Sequence, residues 1–376
     1  ASDVYKRQGP SAALPALQRK ATIVAHDGSR FANEREHAFH HPLLHEVTYG
    51  TVLKATRHRG HAEAGRWLAE HLGERAGEFL ALTAGHFERA GDSAMALEYY
   101  DRARVDAIAR FANEDALGLI ERTLAQPALD AHPRWRFQVL VSRRSALDRL
   151  GRQEAARVAL QELERFAETC DNDAMRADVA TLRMLAADHQ GQPEEARELA
   201  HQALALSARH GGPEAAGSAA LAHGELAWLA LMARDHAAAR QQLAQGMRHA
   251  RVAATVPGRD GGYSGYDLQL HVLEIECEQQ QRRHAACLAA ADQALEAIAR
   301  KSRPFPHDRV MLLQHRSYAL RLLGRLEEAA AASAEAMVIA EQLSMPRLVA
   351  NACTHAAPVA LARGDLAQAQ ALIDRL

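Results

Sequence analysis

Along this chain, small apolar residues return five positions after a turn residue, and the stretches between turns read as helices. Gly151, Gly191, Gly324 and Gly364 each separate two helical stretches, with Ala156, Ala196, Ala329 and Ala369 five residues further on. Gly151 and Gly191 are 40 residues apart, as are Gly324 and Gly364. Arg234 with Ala239, and Arg282 with Cys287, fill the two intermediate slots. A turn glycine can take the left-handed conformation that ends a first helix. A small residue five positions later lets the ridge of one helix approach the other closely. Each pair leaves an apolar face that only the next pair covers, so the pattern predicts an all-α stack of helix pairs.

The earliest unit is the clearest: Ala90-Gly-Asp-Ser-Ala-Met-Ala-Leu-Glu-Tyr-Tyr-Asp-Arg-Ala103. It resembles the tetratricopeptide repeat, with Gly91 at the turn, Ala96 and Ala103 at the close helix contact and Tyr100 between them. The resemblance implies a tetratricopeptide-type α-solenoid, a right-handed superhelix of helix pairs. Separations of 40 exceed the roughly 34 residues of the standard repeat, which predicts longer helices. Ala116 follows Ala96 by only 20 residues, so the helix near Leu97–Arg110 is expected to serve two neighbouring units. The glycine-rich run Pro257–Tyr266 lacks the strand before it and the Gly-Lys-Ser/Thr ending of a phosphate loop. It reads as a long inter-repeat loop, with contact to a ligand or partner as the other reading.

The segment before the repeats has a different pattern. Ala21–Ala25 and Glu36–Phe39 read as two short strands around the turn-rich Asp27–Asn33, followed by a helix from about Pro42. Further upstream, Asp3-Val-Tyr-Lys-Arg-Gln8 is what GATGTGTATAAGAGACAG encodes, a transposon-adapter end used in sequencing libraries. Residues 1–8 are therefore read as an artefact.

The run 29–59 resembles the winged-helix segment that follows the ATPase core in the STAND class of signal-transduction ATPases. The matching elements are Ser29-Arg-Phe-Ala, Phe39-His-His-Pro-Leu-Leu, Glu46-Val-Thr-Tyr49 and Val52-Leu-Lys54, then Trp67–His71 and His86–Asp92. The similarity is greatest to bacterial members with a class III adenylate/guanylate cyclase domain in front and tetratricopeptide repeats behind. In that class a Met-His-Asp-type histidine touches nucleotide phosphate in the resting state, and His41 occupies the matching place. Pro42 stands where the motif has Asp. His41 is thus a candidate nucleotide sensor, the other reading being a histidine satisfied at a helix start.

Composition narrows the remaining chemistry. Of 376 residues 48% are hydrophobic and only 5% aromatic, and 45 basic against 47 acidic residues leave a formal charge of −2. No global field draws nucleic acid or an anionic membrane. No window approaches about 18 uninterrupted apolar residues. The four cysteines, Cys170, Cys277, Cys287 and Cys353, form no CxxC pair, which predicts reduced thiols in a cytoplasmic protein. His37, His40, His41 and His45 lack a cysteine or carboxylate pattern that would complete a metal site. Arg57-His-Arg59 with Arg66 reads as a solvated helix face. No Ser/His/Asp or Cys/His set suggests a catalytic centre.

These readings predict a winged-helix-like remnant over 9–72 and tetratricopeptide-like repeats over 73–376. The resemblance implies a non-catalytic sensor and interaction arm of a multidomain signalling ATPase. Its partners would be a protein or small ligand in the concave groove and an upstream ATPase domain that holds ATP or ADP. No cofactor is expected in these residues themselves. The alternatives are the regulatory arm of a maltose-regulator-type transcriptional activator, or a plain repeat scaffold without an ATPase.

Overall fold

The structure is a computed structural model that describes residues 10–26, 28, 36–71, 76–110, 112–255, 266–300, 305–343 and 346–376. The chain forms two compact units, 1–159 and 160–376. Residues 1–8, most of the turn 27–33 and 257–265 of the glycine-rich run lie outside the described residues.

In the first unit, α1 (Pro10–Arg19) precedes a hairpin of β1 (Ile23–Ala25) and β2 (His37–Phe39). The strands are antiparallel, with Ile23 opposite Phe39 and Ala25 opposite His37. Helices α2 (Pro42–Thr51), α3 (Lys54–His71), α4 (Ala76–Ala90), α5 (Ser93–Ala109), α6 (Asn113–Leu124) and α7 (Pro133–Arg149) follow. The division between units falls within α8 (Gln153–Thr169). The second unit continues with α9 (Asp173–His189), α10 (Pro193–His210), α11 (Ala216–Met232), α12 (His236–Ala253) and α13 (Tyr266–Gln280). It ends with α14 (His284–Ala299), α15 (Pro306–Leu322), α16 (Leu326–Gln342), α17 (Pro346–Arg363) and α18 (Leu366–Ile373). The architecture is the all-α tetratricopeptide-type solenoid that the spacing of turns predicts. Helix α1 was not foreseen, because Pro15 breaks the pattern of its short sequence yet sits inside the helix.

The turns explain why the spacing is legible. Gly91, Gly151, Gly191, Gly324 and Gly364 have φ between +70° and +81°. Arg234 and Arg282, at φ +58° and +56°, take the same left-handed conformation without being glycine. At all seven turns the next residue's N–H reaches back five residues to a carbonyl of the first helix. Asp92 N–H donates to the Phe87 carbonyl at 2.9 Å, Asp235 to Ala230 at 2.9 Å and Arg283 to Glu278 at 3.0 Å. This closure satisfies helix-end carbonyls that would otherwise lack partners.

Five residues after the turns, Ala96, Ala156, Ala196, Ala239, Cys287, Ala329 and Ala369 are all buried, none more than 4% exposed. Helix α5 packs against both α4 and α6, and Ala116 on α6 is buried, as the short spacing predicts. Phe79, Phe87, Tyr99 and Tyr100 form the aromatic core of the first repeat. In the second unit Ala, Leu and Met side chains, Met184 and Leu199 among them, do that work.

The two arginine turns carry a measurable cost. A left-handed residue with a Cβ costs about 1–2 kcal/mol, whereas glycine adds roughly 0.5–1 kcal/mol of chain entropy. Arg234→Gly and Arg282→Gly are each expected to raise stability by about 0.5–1 kcal/mol. The check is a higher urea midpoint at unchanged slope; a lower midpoint would show that the arginine side chain contributes more than the strain it brings.

Candidate functional site

His41 lies at the start of α2 with extended backbone, φ −134° and ψ 133°. Its Nδ1 accepts from the Leu43 N–H at 3.2 Å, so the neutral ring carries its proton on Nε2. The imidazole is exposed, and its Nε2–H is a donor of the kind that suits an oxyanion. The structure thus has His41 capping its helix, and the same bond fixes the tautomer that a phosphate contact would need.

The other seam histidines do not gather around His41. His45, one turn further along α2, packs its ring against Phe39 of β2 (centroids 5.2 Å) and stacks on Tyr49 (5.9 Å). The Tyr49 hydroxyl is 2.7 Å from His61 Nε2 on α3, and His61 Nδ1 is 3.0 Å from His86 Nδ1 on α4. A continuous row of rings therefore ties the hairpin and α2 to the first repeat. Burial, followed by the charges of Arg89, His58 and Arg57, holds His61 below the ordinary histidine range. Burial, then His61 and Arg89, does the same for His86.

Arg57, read from sequence as part of a solvated face, is half-buried, its guanidinium 5.1 Å over the Tyr49 ring. Among the described residues no group of three or more histidine, cysteine or carboxylate side chains is arranged to hold a metal ion. Helix α2 has no buried residue at all. Leu43 and Val47 on α2, and Leu53 just beyond it, are 58–77% exposed.

In the second unit, buried or half-buried polar groups recur at one register. Glu225, His315 and His355 each stand nine residues ahead of their turn residues Arg234, Gly324 and Gly364. Glu225 is 4% exposed, and burial followed by the Asp188 charge pushes its carboxyl up to about 7. Burial, then the neighbouring His355, pulls His315 down to about 4, and its Nδ1 finds no hydrogen-bond partner among the described residues. Alignment on the turns could have exposed this register, but the residue types differ too much to stand out. All four cysteines are free thiols. Burial pushes Cys287 up to about 11, so it is a poor nucleophile at neutral pH. No helix among the described residues is long and apolar enough to cross a membrane.

No family model and no curated protein sequence matches this chain. Solved structures do. A Pyrococcus horikoshii signal transduction ATPase with numerous domains (STAND), with a tetratricopeptide repeat sensor, is similar over 97% of this chain at a TM-score of 0.59 and 13% identity. The chain spans about half, 51%, of that protein's length. BtubC from P. vanneervenii aligns over 62% of this chain and 92% of its own, at 15% identity and a TM-score of 0.46. A tetratricopeptide repeat protein from Parabacteroides merdae aligns over 80% and 98% respectively, at 13% identity and 0.33. At such identities the likeness to the first of these establishes the fold.

Proposed function

We propose that this chain is the sensor and protein-interaction arm of a STAND-class signalling ATPase, with a cyclase domain in the parent protein. Residues 9–72 are the winged-helix-like link to the ATPase module, and residues 73–376 are the repeats that engage a protein or small ligand. The observation that carries this reading is the uncovered α2, whose Leu43 and Val47 face outward beside a well-packed first repeat. A helix with that apolar surface is suited to cover by a neighbouring module. The hairpin before α2, and His41 at its start with Nε2–H outward, support the same reading. Ligand in the repeats would bias the ATPase between ADP-bound and ATP-bound states through differential affinity for the two. The reading assigns no catalytic residue to this chain.

Calorimetry on this chain, and on the chain extended by its upstream coding sequence, tests the proposal. One hydrogen bond from His41 is worth roughly 0.5–1.5 kcal/mol net, whereas even millimolar affinity needs about 4 kcal/mol. The chain alone is expected to show no saturable ADP binding below millimolar concentration. The extended protein should bind ADP tightly, lose affinity on His41→Ala, and respond in cyclase output. Tight binding by the chain alone, or an extended protein indifferent to His41→Ala, would sink the sensor role.

A further inference from the structure

The row of rings at the first repeat sits in a positive field that the fold does not neutralise. Arg57, His58 and His61 occupy positions i, i+1 and i+4 of α3, and His86 and Arg89 are three apart on the facing α4. The charges that act on His61 are Arg89, His58 and Arg57, and those that act on His86 are His61 and Arg89; no carboxylate is among them. From α2, the groups that face the row are the uncharged Tyr49 hydroxyl and the His45 ring. Neither Arg57 nor Arg89 has an acidic partner among the described residues, and Arg89 reaches the Gly85 carbonyl at 3.4 Å. Glu88, next to Arg89, is committed elsewhere, accepting from Tyr100 at 2.8 Å and Gln126 at 3.1 Å.

Arg89 disfavours the charged form of both imidazoles and Arg57 that of His61, with no carboxylate beside them to offset this. We propose that Arg57, His58 and Arg89, around the His61–His86 pair, form an oxyanion-binding site that takes a phosphate-type or carboxylate group. Arg57, His58, His61 and His86 are half-buried and Arg89 is exposed, so the site is open to solvent while lower in dielectric than bulk water.

The proton count shows how the anion acts on the row. With the two Nδ1 atoms 3.0 Å apart, one proton fits between them. In the neutral pair Tyr49 donates to His61 Nε2, and His61 Nδ1–H donates to His86 Nδ1. One added proton sits on His61 Nε2 and reverses the bond to Tyr49, while the bond between the rings survives. A second added proton would put N–H groups on both facing Nδ1 atoms and break it. A bound oxyanion favours the singly charged state, so binding is coupled to uptake of one proton. All of these residues lie within the first unit, and the site does not depend on the parent protein proposed above.

Histidine ring signals followed by NMR from pH 5.5 to 8, on the full chain, test it. The probes are inorganic sulfate, a dianion throughout this range, and acetate, each against chloride at matched ionic strength. The His61 and His86 midpoints are expected to move upward in sulfate. That shift should vanish in Arg57→Gln/Arg89→Gln and persist in Arg66→Gln, an exposed arginine of α3. The single Arg89→Gln, at an exposed position, serves if the double variant fails to fold. A response to sulfate alone assigns a phosphate-type ligand, and an equal response to acetate admits the carboxylate of a partner. Midpoints indifferent to both anions, or a shift that survives loss of both arginines, overturn the site.

Discussion

Lowering the pH from 6.5 to 4 is expected to cost the second unit about 3 kcal/mol through His315 alone. Burial among α15 and α17, followed by the like charge of His355, brings this imidazole from its ordinary 6.5 to about 4. Each unit of displacement corresponds to about 1.4 kcal/mol, which gives that figure as an order of magnitude. Because the folded value is the lower one, the unfolded chain takes up the proton first as pH falls. The contribution is therefore fully present above pH 6.5, declines between 6.5 and 4, and is gone below. His355, lowered by burial and by Arg321, acts in the same direction. Urea unfolding at pH 7 and pH 4.5, in the natural chain and in His315→Gln, measures it. The variant should lose about 3 kcal/mol of the difference between the two pH values, leaving the part that His355 and other groups contribute, and an undiminished difference would place the acid sensitivity elsewhere.

The second large effect tests the register of the helix pairs. Ala196 is fully buried, against Ala177, Ala180 and Met184 of α9 and beside Leu199 and Ala200 on its own helix α10. A leucine there has nowhere to go without pushing the two helices apart. Ala196→Leu is expected to cost about 1–3 kcal/mol by overpacking. Its neighbour Glu195 is exposed, so Glu195→Leu should stay within about 0.5 kcal/mol of the natural chain. Denaturant midpoints of the two variants give the answer. Equal effects would mean that the small residue is not where the helices meet.

The turns were legible because their physics is local. A left-handed residue, a backbone closure and a small residue five positions on all lie within one short stretch of chain. Spacing even located Arg234 and Arg282, whose side chains give no hint of a left-handed backbone. Asp171, at φ +45° between α8 and α9, escaped because aspartate there reads as an ordinary polar residue. The row from Tyr49 to His86 could not be read at all. Its contacts span 12 and 25 residues and come from how α2, α3 and α4 pack, which no periodicity announces. Sequence marked His41 as chemically interesting and left open what its ring does. The bond from Leu43 answers the structural half of that question.

The seven turns close through main-chain atoms, and this separates the chain's shape from its surface. The backbone closure is common to all seven. Side-chain caps are added at some, as where Asp92, Asp235 and Asp365 accept from the N–H three residues on, so residue types at the bends can vary without removing the closure. At Arg234 and Arg282 even the glycine has been dispensed with. Selection acting on such a chain can rewrite charge and polarity around the bends, while the alanines beneath stay fixed by volume. Divergence would then collect on the outside and leave the packing intact. That offers a physical reason why a chain at 13% identity can share a fold with part of the Pyrococcus horikoshii protein over 97% of its own length.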